Sequence, residues 1–180
     1  MDNKKWDVIQ SDYLIQNQWL TVRKDHVRQP NGTVIDDFYV LEYHDWVTVI
    51  AITQDGRFVM ERQYRHGIKR TCYEICGGTV ESHESPLETA KRELLEEAGY
   101  AGGVWSEYAP TAPNPSAMTN ICHTFIAEGV KKVAEQKLEK TEDIDIVLMS
   151  REELIDSMSK GEILQGDMLA PLWRYLYETK

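Results

Sequence analysis

A group of acidic side chains at regular spacing is the part of this sequence that could do chemistry. Glu93, Glu96 and Glu97 stand at positions i, i+3 and i+4 and would share one face of a helix. Like charges at these spacings destabilise an isolated helix by roughly 0.2–0.5 kcal/mol per pair. A hard divalent cation takes oxygen ligands and would turn that repulsion into binding. We therefore predict a metal site, and a solvated acidic helix face is the alternative.

The segment that carries these acids has start and stop signals for a helix over residues 85–98. Ser85 is a candidate N-cap, Pro86 suits the first helical position, and Gly99 follows the last turn. Apolar residues recur at helical spacing and predict a buried stripe, namely Leu87, Ala90, Leu94 and Ala98. The helix would therefore hold the acids in fixed relative positions.

The acids belong to a longer pattern of residues. Glu84 follows Gly78 after five residues, and after seven more the chain reads Arg-Glu-Leu-Leu-Glu-Glu-Ala-Gly-Tyr over residues 92–100. This pattern resembles the Nudix box. Tyr100 departs from it, because the family usually has an aliphatic residue there. The resemblance implies an enzyme, a Nudix pyrophosphohydrolase, that hydrolyses a nucleoside diphosphate linked to another moiety.

The same resemblance implies roles for residues in and beside the box. The metal ligands would be the backbone carbonyl of Gly77 and the side chains of Glu93, Glu96 and Glu97. Glu84 would be an outer ligand or help to orient the substrate, and Arg92 would fix the glutamates by charge-assisted hydrogen bonds. Gly78 and Gly99 would be structural. The implied cofactor is Mg²⁺, with Mn²⁺ as a possible substitute, which would neutralise phosphate oxygens and activate a water.

Three segments outside the box are similar to the ADP-ribose and nucleoside-diphosphate-sugar pyrophosphatase branch of the family. They are residues 62–67, residues 74–78 and Asn114-Pro115, with Pro115 placed 15 residues after Tyr100. The resemblance implies hydrolysis of ADP-ribose or a related sugar nucleotide to a nucleoside monophosphate and a sugar phosphate. Asn120 stands where some ADP-ribose enzymes have an acid, so other sugar nucleotides stay open. Coenzymes, nucleoside triphosphates and a non-catalytic nucleotide sensor are the alternatives.

Two residues are candidates for contact with the substrate. Arg65 could hold a phosphate, or it could form a surface salt bridge. An aromatic residue usually stacks on the base in this branch, and Trp46 is a candidate because it stands where the N-terminal sheet would meet the main domain. The alternative for Trp46 is a place in the core.

The general base is expected from an acidic loop before the strand predicted at residues 142–149. Lys140 stands where a glutamate can stand in this branch, and a lysine charged at neutral pH is a poor base. Glu139 and Glu142 are therefore the candidates, with Glu142 preferred, unless Glu96 or Glu97 acts as the base.

Composition restricts the classes of partner. The 180 residues include 30 acids and 20 Lys and Arg, a formal charge of −10 that argues against a nucleic-acid groove. No segment approaches 18 apolar residues and the N-terminus lacks an apolar signal core, so we expect a cytoplasmic protein without a membrane span. Cys72, Cys76 and Cys122 are odd in number, and we expect reduced, partly buried thiols and neither a zinc site nor a catalytic cysteine.

The order of the predicted elements indicates an α+β protein with a mixed β-sheet sandwiched between helices, and the resemblance implies that this is the Nudix fold. Residues 1–45 would form a small antiparallel sheet, with strands at 6–9, 19–26 and 33–43, and residues 46–180 the hydrolase domain. Further strands are predicted at 46–52, 57–65, 71–75, 105–109, 121–128 and 142–149. Later helices are predicted from Ser150 to Ser159 and over residues 167–178, the last with Pro171 in its first turn. The branch resemblance implies that the N-terminal sheet packs against a sister subunit in a homodimer.

Overall fold

The computed structural model describes residues 4–108 and 110–180. It divides into two units. The first runs up to His44 and also contains Ala112–Asn120, and the second contains Asp45–Thr111 and Ile121–Lys180. The last residue of the strand predicted at 105–109 lies outside the described residues.

The first unit contains a three-stranded antiparallel sheet in the order β1-β2-β3, as predicted. Its strands are β1 (Asp7–Gln16), β2 (Thr21–Arg28) and β3 (Val34–Glu42). The prediction for β1 ended at Ile9 and was too short. Because β1 pairs with β2 from Asp7 to Gln16, the ladder and not the local sequence decides its length. Every residue of β1 is exposed.

The second unit contains an eight-stranded mixed sheet. Its strands are β4 (Trp46–Thr53), β5 (Phe58–Arg65), β6 (Arg70–Glu74), β7 (Cys76–Thr79), β8 (Tyr100–Ala101), β9 (Val104–Glu107), β10 (Cys122–Lys132) and β11 (Asp145–Met149). The main path runs β11-β5-β4-β10-β8, with β6 on β5, β7 on β4 and β9 on β10. The pairing of β4 with β10 is parallel and the other pairings are antiparallel.

Three helices cover the two faces of this sheet: α1 (Pro86–Ala98), α2 (Arg151–Ser159) and α3 (Gly166–Glu178). Strand β4 is buried on both faces because its side chains alternate between two cores. Ile50 and Ile52 pack in the core that includes α2 and α3, whereas Val49 and Ala51 pack in the core that includes α1. The predicted sandwich of a mixed sheet between helices is confirmed.

Helix α1 begins and ends where the sequence predicted. Ser85 caps it in a capping box, in which the Ser85 N–H donates to Glu88 Oε2 at 2.8 Å and the Glu88 N–H donates to Ser85 Oγ at 3.4 Å. Gly99 ends it with a φ of +75°. A Cβ at Gly99 would also lie 2.2 Å from the Ala134 carbonyl oxygen, so both conformation and space require glycine.

The prediction for Pro171 was wrong. Helix α3 begins at Gly166, so the proline lies beyond its first turn, inside the helix. Pro171 has no N–H, so the carbonyl of Asp167 loses the hydrogen bond that a residue at this position would normally donate. Burial of Pro171 and its neighbours on α3 keeps the helix in place despite that loss.

Two further expectations concern membranes and thiols. Within the described residues, no helix is long and apolar enough to cross a membrane. Cys72, Cys76 and Cys122 are all free and buried. The thiols are thus more deeply buried than the sequence indicated.

Candidate active site

Arg92 on α1 lies at the centre of a set of carboxylates, here called the arginine network, which consists of Arg92, Glu84, Glu93 and Glu96. Arg92 Nε donates to Glu84 Oε1 at 3.0 Å. Arg92 Nη1 lies 3.0 Å from Glu93 Oε1 and 3.1 Å from Glu96 Oε2. Thr89 Oγ1 also donates to Glu84 at 2.8 Å. Glu84, in the loop before α1, therefore binds the same guanidinium as Glu93 and Glu96 of the helix.

The network shifts the acidity of its members. Hydrogen bonds from Arg92 and then Thr89 lower the pKa of Glu84. The hydrogen bond with Glu84 is also the largest cause that raises the pKa of Arg92. Burial and the charge of Glu97 raise the pKa of Glu93 to about 7, although Arg92 acts in the opposite direction. Burial thus outweighs the pairing of Glu93 with Arg92.

A second group, here called the buried cluster, consists of Glu61 on β5, Cys76 on β7 and Glu97 on α1. The Cys76 thiol donates to Glu97 Oε2 at 3.2 Å, and the Gly77 N–H donates to the same oxygen at 3.4 Å. One ligand atom from each of the three side chains lies within 4.8 Å of the others. Three elements of the fold thus bring these side chains together.

Burial is the largest cause of the pKa shifts in the buried cluster. It raises the pKa of Glu61 and of the Cys76 thiol well above their ordinary values, with nearby carboxylates adding to both shifts. It also raises the pKa of Glu97, although hydrogen bonds from Cys76 and Gly77 act against it. A cation bound beside these groups would lower their pKa values, since it favours the ionised forms.

Gly77 and Gly78 bring the backbone of β7 close to the two groups. A Cβ on Gly78 would lie 2.2 Å from Glu93 Oε1, so only glycine leaves this carboxylate its place. A Cβ on Gly77 would lie 2.5 Å from the backbone oxygen of Val47. Glycine is therefore required at the two positions for different reasons. At Gly78 it leaves space for the Glu93 carboxylate, and at Gly77 it allows the pairing of β7 with β4.

The same glycines line an open cavity of about 360 Å³ in the second unit. Its wall also includes Trp46 and Arg65, the two candidates for substrate contact, together with Gln165 and Asp167 at the start of α3. Trp46 is half-buried and is not a core residue. The cavity thus lies beside the backbone that contacts Glu93 and Glu97.

Arg65 forms a fork with a buried acid. Its Nε donates to Glu74 Oε1 at 2.7 Å and its Nη2 donates to Glu74 Oε2. Glu74 is buried, whereas the Arg65 side chain is 45% exposed. The salt bridge that was the alternative for Arg65 is therefore present, and the same pair fixes the guanidinium at the cavity wall.

The loop with the candidate bases is tied to the end of α1. Gln136 Nε2 donates to the carbonyl of Glu97 at 2.7 Å and to that of Ile144 at 3.0 Å. Glu142 Oε2 accepts from the Glu139 N–H at 2.7 Å, and the charge of Glu142 acts on Glu97. Glu139 and Lys140 are exposed, while Glu142 is half-buried.

Pro115 lies in the first unit, in a turn that follows Asn114. The Asn114 carbonyl accepts from the N–H groups of Ala117 at 3.1 Å and Met118 at 2.8 Å. This agrees with the predicted loop over residues 111–120. The roles assigned to Pro115 and to the other candidate site residues stay predictions.

Sequence reasoning missed Glu61 and Gln136, and it treated Cys76 as an inert thiol. A signal for Glu61 was present, because an acid directly follows the apolar run Phe58-Val59-Met60 in a strand. Gln136 left no such signal, since its two acceptors are backbone carbonyls brought together by the fold.

Two family profiles match this chain. The NUDIX domain profile matches residues 42–170, and the profile of the nucleoside diphosphate sugar hydrolase N-terminal domain matches residues 6–41. The chain belongs to the Nudix family. The second match confirms the resemblance to the sugar-nucleotide branch, and this Nudix protein is an enzyme, a Nudix pyrophosphohydrolase.

Two relatives agree with that assignment, and a solved structure agrees with the fold. The Nudix enzyme is 26% identical over 156 residues to an ADP-ribose pyrophosphatase of Bacillus subtilis (strain 168), covering 86% of this chain and 84% of the relative. It is 26% identical over 165 residues to a GDP-mannose pyrophosphatase of Pectobacterium atrosepticum, covering 85% of each. A crystal structure of an ADP compounds hydrolase superposes with a TM-score of 0.83 at 17% identity, covering 98% of this chain and 96% of the other. This structural likeness confirms the predicted fold.

Proposed function

We propose that this Nudix enzyme hydrolyses the pyrophosphate bond of ADP-ribose or a related nucleoside diphosphate sugar, with Mg²⁺ as cofactor and Mn²⁺ as a substitute. The products would be a nucleoside monophosphate and a sugar phosphate. The observation that carries the proposal is the convergence of Glu93 and Glu97 on the backbone of Gly77 and Gly78, beside a cavity lined by Arg65. Relatives named for ADP-ribose and GDP-mannose support this substrate class.

The residues present fit a divalent ion. Buried carboxylates carry raised pKa values, and one oxygen of Glu61 has no hydrogen-bond partner among the described residues. We assign the Gly77 carbonyl, Glu93, Glu96 and Glu97 as the groups that would hold the ion. When bound, Mg²⁺ would neutralise the pyrophosphate oxygens and lower the pKa of a water.

Two side chains at the cavity wall would hold the substrate. Glu74 fixes the Arg65 fork, and two of the five N–H donors of that guanidinium are engaged with it. The other donors suit a phosphate, because two phosphate oxygens can accept paired hydrogen bonds from a guanidinium, as a carboxylate does. Trp46, on the same cavity wall, is our candidate for stacking on the base.

Glu142 is our candidate for the general base. Its charge acts on Glu97, and its carboxylate is fixed by the Glu139 N–H. Glu142→Gln should lower the turnover rate by about 10²–10⁴-fold, the range for loss of a general base. Glu139→Gln should keep the wild-type rate, because Glu139 contributes its backbone. Equal rates in the two variants would contradict this assignment, and Glu96 and Glu97 would then be the next candidates for the general base.

The first experiment is a substrate panel of ADP-ribose, GDP-mannose, UDP-glucose, NADH and nucleoside triphosphates, assayed with Mg²⁺ and with Mn²⁺. We expect release of a nucleoside monophosphate from a diphosphate sugar. Glu97→Gln should lower this rate by more than about 100-fold with an unchanged circular dichroism spectrum, a larger loss than removal of an outer-shell partner gives. Glu152→Gln on the exposed face of α2 is the control. Full activity of Glu97→Gln would remove the metal-site claim.

The same panel tests the nucleotide sensor that the sequence left as an alternative. Saturable binding of ADP-ribose without release of any phosphate ester in Mg²⁺ or Mn²⁺ would favour the sensor. Preferential cleavage of triphosphates or NADH would instead move the enzyme to another substrate class.

We also propose a homodimer formed through the N-terminal sheet of residues 1–45. In β1, side chains that are 43–59% exposed include Val8, Ile9, Tyr13, Leu14 and Ile15. Such an apolar surface is typical of an interface. Light scattering should give a dimer for the wild type and a monomer for the double variant Val8→Lys/Leu14→Lys, while Val104→Lys, at an exposed apolar residue of β9, should stay dimeric. A monomeric wild type would contradict the proposal.

Three other expectations stay predictions from the sequence. They are the domain boundary between residues 45 and 46, the cytoplasmic location, and the absence of nucleic-acid binding. The substrate panel can include short DNA and RNA duplexes, and binding of either at physiological salt would overturn the last of these.

A further inference from the structure

The open cavity of the second unit lies on the face of the mixed sheet that α3 covers. Side chains alternate along β4, so Trp46 and Thr48 share a face with Ile50, which packs in the core that includes α3. Val47 and Val49 point to the other face and pack in the core that includes α1. The cavity volume of about 360 Å³ is within the range of small-molecule sites. The cavity can therefore hold one part of a substrate, on the face opposite to α1.

The α3 wall of this cavity has two polar side chains that bind each other. Gln165 Nε2 donates to Asp167 Oδ2 at 3.3 Å, and both residues are half-buried. Gln165 is the N-cap residue of α3, but its side chain makes no capping hydrogen bond. The Gln165 amide is therefore oriented by its bond to Asp167 and not by the backbone of the helix.

The Asp167 carboxylate has no salt bridge with any Lys, Arg or His among the described residues. Its other polar neighbour is the thiol of Cys122. Burial, and then the charge of Asp167, raise the pKa of Cys122 to about 12, so this thiol stays neutral. The α3 wall thus presents a carboxylate that no neighbouring cation neutralises.

The charge of Asp167 decides which part of a diphosphate sugar can lie against it. Phosphate oxygens are negative and accept hydrogen bonds, so Asp167 would repel the pyrophosphate, whereas Arg65 on the same cavity wall would attract it. A carboxylate binds donors, and two adjacent sugar hydroxyls offer a donor to each of its oxygens. Acidic side chains hold a ribose hydroxyl in this way in dinucleotide-binding folds. The α3 wall therefore suits a sugar.

We propose that Asp167, held in place by Gln165, binds vicinal hydroxyls of the substrate and makes hydrolysis selective for the hydroxylated sugar. This inference rests on the proposed function and specifies a residue that determines its specificity. The hydroxyls belong to the nucleoside ribose or to the terminal sugar, which share this chemistry. Both residues lie outside the Nudix box and outside the segments that are similar to the sugar-nucleotide branch.

The experiment compares the best substrate of the panel with two deoxy analogues. One lacks the 2′-hydroxyl of the nucleoside ribose, and the other lacks a ring hydroxyl of the terminal sugar. For one analogue, the wild type should have a kcat/KM about 10–100-fold below that of the parent, the range for a hydrogen bond to a charged group. Asp167→Ala should hydrolyse the parent and this analogue with equal kcat/KM, mainly through a higher KM for the parent. The analogue that the wild type rejects identifies the bound sugar.

Two further variants separate binding of the hydroxyl from a structural effect. Asp156→Ala is the matched control, since Asp156 is an aspartate on α2 in the same unit and pairs with Lys160. It should keep the wild-type ratio of kcat/KM between parent and analogue. Gln165→Ala should reduce this ratio by less than Asp167→Ala does, because the carboxylate remains but loses its hydrogen bond. A structural effect would lower both values alike and leave the ratio unchanged.

Two results would overturn the inference. A wild type that hydrolyses both analogues as well as the parent would show that neither hydroxyl is bound, even if a variant fails to fold. A ratio that persists in Asp167→Ala would assign the hydroxyl to another residue. If that variant also changed the preference among ADP, GDP and UDP sugars, Asp167 would contact the base instead.

The outcomes for the two proposals can be told apart. Hydrolysis of a diphosphate sugar without discrimination between parent and analogues would overturn this inference and leave the proposed function in place. If no diphosphate sugar is hydrolysed, the proposed function is wrong. Calorimetric dissociation constants of ADP-ribose and its two deoxy analogues, for the wild type and Asp167→Ala, then test the inference, and equal constants for all three ligands in the wild type would overturn it.

Discussion

The arginine network and the buried cluster are neighbouring groups of carboxylates that balance charge in different ways. In the network, Arg92 donates to or pairs with Glu84, Glu93 and Glu96, so an internal cation supports the negative charges. In the buried cluster, Glu97 accepts from a thiol and a backbone N–H and lies against a second carboxyl group, that of Glu61. The difference indicates that the network positions the carboxylates, whereas the cluster needs an external cation to keep its side chains ionised.

The variant Gly78→Ala should have the largest effect on the turnover rate, because it displaces Glu93 of the arginine network. The new Cβ would overlap Glu93 Oε1, and the flexible carboxylate would move away from β7. We expect the turnover rate to fall by about 100-fold or more, since a proposed ligand is displaced. The measurement is hydrolysis of the best panel substrate, together with the thermal midpoint, which should change little.

Gly77→Ala is the contrasting variant for that prediction. Its Cβ would overlap the Val47 carbonyl oxygen, which is backbone and cannot move aside. We expect a loss of about 1–3 kcal/mol in the free energy of unfolding, as for overpacking in a core. Equal stability of the two variants, or normal activity of Gly78→Ala, would contradict the distinction drawn between the glycines.

A smaller loss of activity should follow from Arg92→Ala. Without the guanidinium, Glu84, Glu93 and Glu96 repel one another and leave their positions. We expect the turnover rate to fall by about 10–100-fold, the range for an outer-shell partner of a metal site. Arg57→Ala, in an exposed pair with Asp55, is the control and should keep the wild-type rate. If Arg92→Ala were as active as the control, the network would have no positioning role.

The smallest expected effect is a pH dependence of stability in the metal-free protein. The pKa of Glu93 is raised from 4.5 to about 7, so the folded protein holds more protons than the unfolded chain between these values. The free energy of unfolding should therefore decrease as the pH rises from about 4.5 to about 7. Partial exposure of Glu93 limits its share to about 2 kcal/mol.

The measurement is the urea midpoint at pH 5 and pH 8 in the presence of a chelator, for the wild type and Glu93→Gln. The amide cannot ionise, so the variant should show a smaller decrease with pH. Glu97, Glu96 and Arg92 act on Glu93 and are the same in both proteins. The same slope in both proteins would show that Glu93 does not carry the effect.

Helix α1 could be predicted almost to the residue, because its signals are local. Ser85, Pro86 and Gly99 act within one turn of their own positions, and the apolar stripe needs only the period of a helix. The placement of Glu93, Glu96 and Glu97 on one helix follows from the same signals. A local signal failed at Pro171, where packing of α3 outweighs the missing hydrogen bond.

The buried cluster could not be predicted in the same way. Glu61, Cys76 and Glu97 come from three separate elements, and their proximity depends on the order of strands in the sheet and on the packing of α1. The length of β1 was underestimated for a related reason, since its pairing with β2 is a property of the sheet. Contacts between distant segments are not encoded in the spacing of either segment.

The bonds from Gln136 to the carbonyls of Glu97 and Ile144 have a consequence for engineering. They anchor both ends of the segment that carries Glu139, Lys140 and Glu142, so residues between the anchors can be exchanged without disturbing the last turn of α1. A library that varies residues 138–141 and keeps Glu142 would therefore change the surface of this loop while leaving the proposed general base in the chain.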